Sequence, residues 1–135
     1  MTTDDLAKSY LIKATKRLKV LDLLLKEEDY SDVVREAQEI VELCTKGMLR
    51  SVGIEPPKFH DVGFLLIEHK DRFKRTTLRD LQKAAKISKR LRKEREFSFY
   101  GDIDFIPTEE YTIRDAKKAI EEARWVVKLA QNIIK

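Results

Sequence analysis

Apolar side chains recur every three or four positions along most of this chain, which is the period of amphipathic helices. One such run spans 6–25, and a second spans 33–49 and stops ahead of Gly53. A third long run spans 113–134 and follows Thr112, which has an aspartate three residues later, as in a capping box. Strand-like alternation does not persist beyond a few residues. The pattern therefore predicts a chain that is helical from end to end.

The region between the second and the last run is predicted to hold one short and one long helix. The short helix begins near residues 60–61. The long helix begins near residues 76–77 and extends to about Phe97, and a loop rich in turn residues follows over 100–110. Long helices joined by short loops favour antiparallel neighbours. We therefore expect an all-α fold, an up-and-down antiparallel helical bundle of four long helices plus one short helix.

Length and composition narrow the class of protein. At 135 residues the chain fits a single domain over 1–135 with a sizeable core. It has no apolar stretch of about 18 residues, and Met1–Asp5 are polar, so we expect neither a membrane helix nor a secretory signal. Cys44 is the only cysteine, and its place on an apolar face predicts a buried structural thiol. We expect a cytoplasmic protein, and 39% charged residues with few amides suggest a heat-adapted source.

Positive charge is concentrated in one segment. Residues 70–95 hold twelve Lys or Arg against three acidic residues, so the rest of the chain is net acidic although the total is +4. Five cations of the long helix in this segment share its outward face and form a candidate surface for a phosphate backbone. They are Arg79, Lys83, Lys86, Arg90 and Lys93. The alternative is a solvated face without a ligand.

Two arginines of the same helix fall on its apolar side. Arg92 and Arg95 share a face with Ser88 and with the apolar positions Leu81 and Leu91. A buried arginine is rare unless its charge is paired or its surroundings are wet. This face is therefore predicted to open into a polar cleft, where planar guanidinium groups suit a phosphate or nucleotide. The alternative is an internal salt bridge, for which the available partners are Glu42, Glu94 and Glu96.

Few other residues point to chemistry. Lys46 interrupts the apolar stretch of the second helix and either adds positive charge to the cleft or lays its stem on the core. The pair His60-Asp61 stands at a loop-to-helix junction, where a helix cap is the favoured interpretation. Two separated histidines do not make a zinc site, and the chain has no Gly-rich phosphate loop or triad spacing. We therefore expect no metal and no cofactor.

Several separated motifs resemble one family. They are the stretch AQEIVELCTKGML over 37–49, His60-Asp61, Leu65-Leu66, Arg92 with Arg95-Glu96, Tyr100-Gly101-Asp102, and Tyr111-Thr112 with Asp115-Ala116 and Ala119. Their order and spacing, from about Tyr10 to Leu129, resemble the HEPN domain (higher eukaryotes and prokaryotes nucleotide-binding). The resemblance implies an all-α bundle that commonly dimerises. It also implies frequent pairing with a minimal nucleotidyltransferase in toxin–antitoxin-type operons.

The resemblance also implies a catalytic motif that this chain lacks. Many HEPN proteins are metal-independent ribonucleases with an Arg-x4-6-His motif, which promotes attack of the ribose 2′-hydroxyl on the adjacent phosphate. Counting from Arg95, the histidine position holds Tyr100, and Asp102 stands where toxin-type members carry a tyrosine that is nucleotidylated. A tyrosine, with an ordinary pKa near ~10, is a poor general base at neutral pH. The degenerate pair therefore predicts little or no ribonuclease activity.

We expect a non-catalytic or weakly catalytic homodimer that is the partner of a minimal nucleotidyltransferase in a toxin–antitoxin-like pair. The predicted cleft would bind a nucleotide or RNA through Arg92, Arg95, Lys46, Ser88, Tyr100 and Asp102. The dimer interface is predicted at a cluster of apolar residues that a small bundle does not readily bury. This cluster is Phe97, Phe99, Tyr100, Phe105 and Ile106. Two alternatives stay open: a metal-independent RNA endonuclease with a degenerate motif, and a structural helical interaction module.

Overall fold

The computed structural model describes residues 3–134, which form four long helices and two short ones. The long helices are α1 (Thr3–Lys26), α2 (Tyr30–Ser51), α4 (Leu78–Phe99) and α6 (Ile113–Ile134). The short helices are α3 (Phe64–Glu68) and α5 (Pro107–Glu110), and a 3-10 turn spans Lys70–Arg72. Within this part of the chain there is no β-strand. The predicted all-α bundle is confirmed, and the structure adds α5 inside the predicted loop.

Polar side chains fix where α4 and α6 begin. The Thr77 hydroxyl accepts a hydrogen bond from the Asp80 backbone N–H at 3.2 Å, as an N-cap does. At the start of α6, the Thr112 hydroxyl and the Asp115 carboxylate each accept from the other's backbone N–H, at 3.3 and 2.9 Å. This reciprocal pairing is a capping box with aspartate in the place of glutamate. The starts predicted for these two helices are therefore confirmed to within one or two residues.

Helix α2 lies at the centre of the bundle. It packs against α1, α4 and α6. It runs antiparallel to α4, since Glu39 meets Arg95 and Arg35 meets Phe99. Its buried face is mainly apolar and includes Val33, Ile40, Cys44 and Met48. Burial raises the pKa of the Cys44 thiol to about 12, so it is held as a neutral apolar group. The expected structural thiol is thus where the sequence placed it.

The segment between α2 and α4 is attached directly to α4. A β-carbon on Gly63 would lie 2.9 Å from the Ala85 Cα and 3.0 Å from the Ser88 Cβ, so only glycine permits this approach. Beside it, the Asp61 carboxylate accepts hydrogen bonds from the Gly63 backbone N–H at 3.2 Å and from the Ser88 hydroxyl at 2.8 Å. The expectation of a helix that begins at His60 or Asp61 is therefore wrong. Asp61 braces the loop on α4, and α3 begins at Phe64.

The chain leaves α4 through a tight turn. Gly101 has a φ of +68°, a left-handed conformation that favours glycine, and a β-carbon there would lie 2.3 Å from the Phe105 carbonyl oxygen. An isolated β-bridge joins Asp102 to Phe105 and closes the turn. Pro107 then occupies the first turn of α5, where its fixed φ is compatible with a helix. None of the helices described over 3–134 is long and apolar enough to cross a membrane.

Candidate functional site

Arg95, one of the two arginines of the predicted cleft, is turned towards α2. Its guanidinium Nη1 donates to the Glu39 carboxylate at 2.5 Å and also to the Gln38 side-chain carbonyl. The Arg95 side chain is only 15% exposed, and Gln38 is buried. A half-buried cation is tolerated here because a carboxylate and an amide oxygen replace the water that it loses. Arg95 therefore links α4 to α2.

The partners of Arg95 differ from the three that the sequence suggested. Glu94 instead accepts a hydrogen bond from the Tyr111 hydroxyl at 2.5 Å, and burial together with this bond raises the pKa of Tyr111. Glu96 is exposed. Glu42 lies on the same side of α2 as Glu39 but is bonded to other groups. Arg95 thus forms an internal salt bridge, as in the alternative interpretation, but its partner is Glu39.

Glu42 accepts hydrogen bonds from three side chains. The donors are Gln38 Nε2 at 3.0 Å, Lys46 Nζ at 3.1 Å and, from the loop after α2, His60 Nδ1 at 3.0 Å. Burial alone would raise the pKa of Glu42, but these hydrogen bonds and the charge of Lys46 outweigh it and hold the pKa below its usual value. Because Gln38 also binds Arg95, the contacts are continuous from the loop to α4. We call this set the α2–α4 polar network; it comprises Gln38, Glu39, Glu42, Lys46, His60 and Arg95.

Arg92 occupies a different position from Arg95. It lies between Ser88 and Arg95 on the same face of α4, and both of those neighbours are bonded, to Asp61 and to α2. Arg92 itself is half-buried. Among residues 3–134 it has neither a hydrogen bond nor an ion pair with another side chain or with the backbone. Its guanidinium donors are therefore uncommitted within the described part of the chain.

The other predicted cleft residues are not all brought together. Lys46 is only 18% exposed, and Glu42 partly neutralises it. Tyr100 is 76% exposed, and its ring meets the edge of Phe99 with centroids 4.8 Å apart. Asp102 accepts from the Ile103 backbone N–H at 2.7 Å. In the described part of the chain, no hydrogen bond, ion pair or ring contact joins Tyr100 or Asp102 to Arg92 or Arg95.

Four of the five residues of the predicted basic surface are exposed, and the fifth is not. Arg79, Lys83, Lys86 and Lys93 are exposed. Arg90 is half-buried and forms an ion pair with Glu122 of α6, and burial lowers its pKa. The reason is that α6 packs along that flank of α4, which a projection of a single helix does not show.

The three exposed cations nearest the start of α4 belong to a groove. It has a volume of about 730 Å³ and lies between α4 and the α3 segment. Lys89, a fourth cation, lies on the same side, and Phe64 and Ile67 form the facing apolar wall. We call this the basic groove; the residues used below are Phe64, Ile67, Arg79, Lys83, Lys86 and Lys89.

Sequence reasoning missed most of the α2–α4 polar network, although a signal was present. Arg35, Gln38, Glu39, Glu42 and Lys46 recur at spacings of three and four, which places them on one face of α2. A continuous row of polar residues along a central helix indicates that this side of the helix packs against polar partners. The structure supplies Arg95 and His60 as those partners. It also places the Arg35 guanidinium 4.7 Å from the Phe99 ring centroid, which extends the row to the end of α4.

The described side chains limit the chemistry that this region can support. In the described residues no three His, Cys, Asp or Glu side chains are grouped so that they could hold a metal ion. Arg95 and Lys46 are paired with Glu39 and Glu42, whereas the Arg92 guanidinium has no partner among the described residues. A free guanidinium suits an oxyanion and not a cation.

Comparisons with known proteins agree on the family. The family model described as the HEPN domain matches residues 7–133. The crystal structure of an archaeal HEPN homologue superimposes with a TM-score of 0.71; the two chains are 25% identical, and the match covers 96% of this chain and 98% of that one. No curated protein gives a significant match to the sequence. With a match over almost its whole length and the same helical bundle, this chain belongs to the HEPN domain family.

Proposed function

We propose that this HEPN protein is a non-catalytic or weakly catalytic phosphate-binding homodimer that acts with a minimal nucleotidyltransferase in a toxin–antitoxin-like pair. A nucleotide or RNA phosphate binds at Arg92, beside the α2–α4 polar network. The single observation that carries the proposal is that Arg92 is half-buried and has no partner among the described residues, while Ser88 and Arg95 on either side of it are bonded.

An unpaired arginine between two fixed neighbours is preorganised for a ligand. Its side chain is half-buried, so less rotamer freedom is lost when its donors meet a phosphate than for a fully exposed arginine. The same partial burial strengthens a charge-assisted hydrogen bond relative to one made in open water. Arg95 cannot offer as much, because Glu39 and Gln38 already occupy its Nη1. We therefore assign the main ligand contact to Arg92 and a positioning role to Arg95.

The test is a titration of ATP and of a short RNA against Arg92→Gln, with Lys93→Gln as the matched control. Both variants remove one positive charge from adjacent residues, but Lys93 is exposed. A lost hydrogen bond to a charged group is worth ~1.5–3 kcal/mol, so Arg92→Gln should weaken binding roughly 10- to 150-fold. This loss should persist at physiological salt, whereas any effect of Lys93→Gln should fade, because its field is screened. Equal behaviour of the two variants would refute the site.

The homodimer is proposed from the apolar surface at the end of α4 and in the following turn. Phe97, Phe99, Ile103 and Ile106 are 48%, 50%, 89% and 42% exposed, so this part of the protein keeps apolar area that the bundle does not cover. Light scattering at micromolar concentration should give twice the monomer mass. Ile106→Glu should return it to the monomer mass, and a wild-type monomer at that concentration would contradict the proposal.

The nucleotidyltransferase partnership is supported by the family resemblance. It predicts that a minimal nucleotidyltransferase encoded beside this chain co-purifies with it after co-expression. Co-purification should be lost or weakened when the partner is expressed with unrelated soluble helical proteins in its place. Failure to form a complex at micromolar concentrations would leave the phosphate-binding homodimer without this partner and remove that part of the proposal.

The non-catalytic assignment is supported by the position of Tyr100. No histidine follows Arg92 or Arg95, and the exposed Tyr100 ring contacts Phe99 and neither arginine. A positioned acid or base contributes roughly 10²–10⁴-fold, and this is the activity we expect to be missing. Purified protein incubated with mixed RNA in EDTA should therefore cleave little of it. Robust cleavage that Arg95→Ala abolishes would establish the endonuclease alternative, and a gain of activity in Tyr100→His would support descent from an active motif.

A further inference from the structure

We infer that the basic groove is a second binding site, separate from Arg92, and that it takes single-stranded nucleic acid. Phosphates would run along the cations of α4, and a base would stack against Phe64. Arg92 is not among the residues that line this groove. The inference concerns a different side of α4 from the proposed phosphate site and does not depend on it.

The apolar wall of the groove carries two stacked phenylalanines. The Phe59 and Phe64 rings are almost parallel, at 8°, with centroids 6.2 Å apart. Each residue remains 51% exposed, and Phe64 and Ile67 line the groove. The two rings thus leave apolar area on the surface beside the groove, separate from the exposed apolar residues at the end of α4. A flat, rigid, exposed aromatic face is the surface on which a nucleobase stacks.

The opposite wall is a row of positive charge. Arg79, Lys83 and Lys86 are exposed and recur at spacings of four and three, and Lys89 continues the row for another turn. From the first to the last is roughly 15 Å of helix, at ~1.5 Å per residue. The Lys83 ammonium is also held 4.3 Å from the Trp125 ring centroid, which limits its rotamers. A row of cations of this length matches a chain of phosphates better than a single anion.

One acidic residue faces the groove. Asp61 lines it, but its Oδ1 accepts hydrogen bonds from Ser88 and from the Gly63 backbone. Its charge is thus engaged in bracing the loop, and the cations outnumber it. The groove keeps a net positive charge.

The two walls are held at a fixed separation. Gly63 lies against the backbone of Ala85, and the Asp61–Ser88 hydrogen bond fastens the same loop to α4. The aromatic wall therefore cannot drift away from the row of cations. A site formed in advance loses less conformational entropy when its ligand binds. An acidic peptide would use the cations but has no flat ring for the phenylalanines, so the combination favours a nucleic acid strand.

The experiment is fluorescence anisotropy with labelled 12-nucleotide oligo-U RNA and oligo-dT DNA. Phe64→Ala should weaken binding roughly 5- to 150-fold, which is the range that base–aromatic stacking supplies. Phe64→Leu keeps apolar volume without the ring and should lose most of the same affinity. Leu23→Ala is the control, because Leu23 is an equally exposed apolar residue on α1, 59% exposed. Circular dichroism checks that each variant is folded, as expected for positions on the surface.

Charge is tested separately with Lys86→Gln and the control Lys118→Gln, an exposed lysine of α6. Lys86→Gln should lower affinity and make the salt dependence shallower by about 0.7 in the log–log slope, the loss of one phosphate contact. Lys118→Gln should leave that slope unchanged. Equal binding of RNA and DNA would show that bases and phosphates are read, and a preference for RNA would show that the 2′-hydroxyl is read as well.

Several results would overturn the inference. They are no binding of either oligonucleotide, wild-type affinity in both Phe64 variants, or equal affinity for duplex DNA or polyglutamate, which would leave only general attraction of anions. The proposed phosphate site is judged independently. Arg92→Gln should weaken ATP binding and leave the effect of Phe64→Ala on oligonucleotide affinity in place, whereas the Phe64 variants should leave ATP affinity unchanged.

Discussion

Substitution of the two neighbouring arginines of α4 should change the stability of the fold by different amounts. Arg95 is tied to α2, whereas Arg92 is unpaired, so Arg95→Ala should destabilise the fold and Arg92→Ala should leave it nearly unchanged. Without the guanidinium, the Gln38 side-chain oxygen is left in a site where that residue is only 3% exposed. Glu39 loses less, because it is 31% exposed and also lies 3.5 Å from the Arg35 guanidinium.

The size of the loss follows from these exposures. A hydrogen bond to a charged group contributes ~1.5–3 kcal/mol when it is well shielded, and partial exposure of Glu39 favours the lower part of that range. We therefore expect Arg95→Ala to lower the free energy of unfolding by about 1.5–2 kcal/mol. For a domain of this size the corresponding fall in Tm is roughly 5–8 °C. Arg92→Ala removes no hydrogen bond or ion pair to another described residue, so its effect should stay within about 0.5 kcal/mol.

Urea unfolding followed by circular dichroism measures both variants. A double-mutant cycle with Glu39→Gln then isolates the coupling between Arg95 and Glu39, which should be about 1 kcal/mol. Lys93→Ala serves as the control for the loss of one charge from α4. The reasoning fails if Arg95→Ala is as stable as the wild type, or if Arg92→Ala is the more destabilised of the two.

Four further predictions concern single sites. Because the pKa of Glu42 is lowered in the folded protein, its contribution to stability is present above its ordinary pKa and is lost as the pH falls through the lowered value. Glu42→Gln should therefore be less stable than the wild type at pH 7, and acid unfolding curves should show this difference in stability disappearing at low pH. Asp32 behaves oppositely, since burial and the neighbouring Asp29 carboxylate raise its pKa to about 6: its folded form favours the proton, so stability falls as the pH rises through 6, and Asp32→Asn should raise Tm at pH 7.5 but not at pH 4. Cys44 should react with a thiol reagent only in denaturant, and rapid labelling of the native protein would contradict its complete burial. Gly63→Ala should cost about 1–3 kcal/mol through overpacking against α4, measurable by urea unfolding, whereas a neutral effect would show that the loop can move away.

The starts of the helices were the most predictable part of this structure. The cap residues Thr77 and Thr112 act through neighbours three residues away, so their role is written locally in the sequence. The start of α3 was not predictable in this way. Aspartate is a residue type that often caps helices, but the Asp61 carboxylate binds Ser88, which lies 27 residues later in the sequence. A local pattern cannot distinguish a cap from a brace whose partner is brought near only by packing.

The candidate site shows the same division between local and distant information. Periodicity placed Arg92 and Arg95 on the inner side of α4, and both lie there. It could not say that Arg95 meets Glu39 and not Glu42, since that depends on how α2 and α4 are aligned along their lengths. It misassigned Arg90 because the flank that looked solvent-facing is covered by α6 through Glu122. The Phe59–Phe64 pair was invisible for a similar reason, because a loop residue and a helix residue form it.

The central position of α2 has a consequence for how the protein opens. Helices α1, α2 and α6 bury one another along apolar faces, whereas α4 has the most polar sequence of the four long helices and is joined to α2 partly through the polar network. Elements with fewer buried apolar contacts open at lower free energy than the rest of a domain. Amide hydrogens in α4 and its attached loop should therefore exchange with solvent before those in α2. A partly open state in which α4 has moved away would keep a core of three helices. Because the Arg92 site and the basic groove both include α4, this one motion would disrupt both of them.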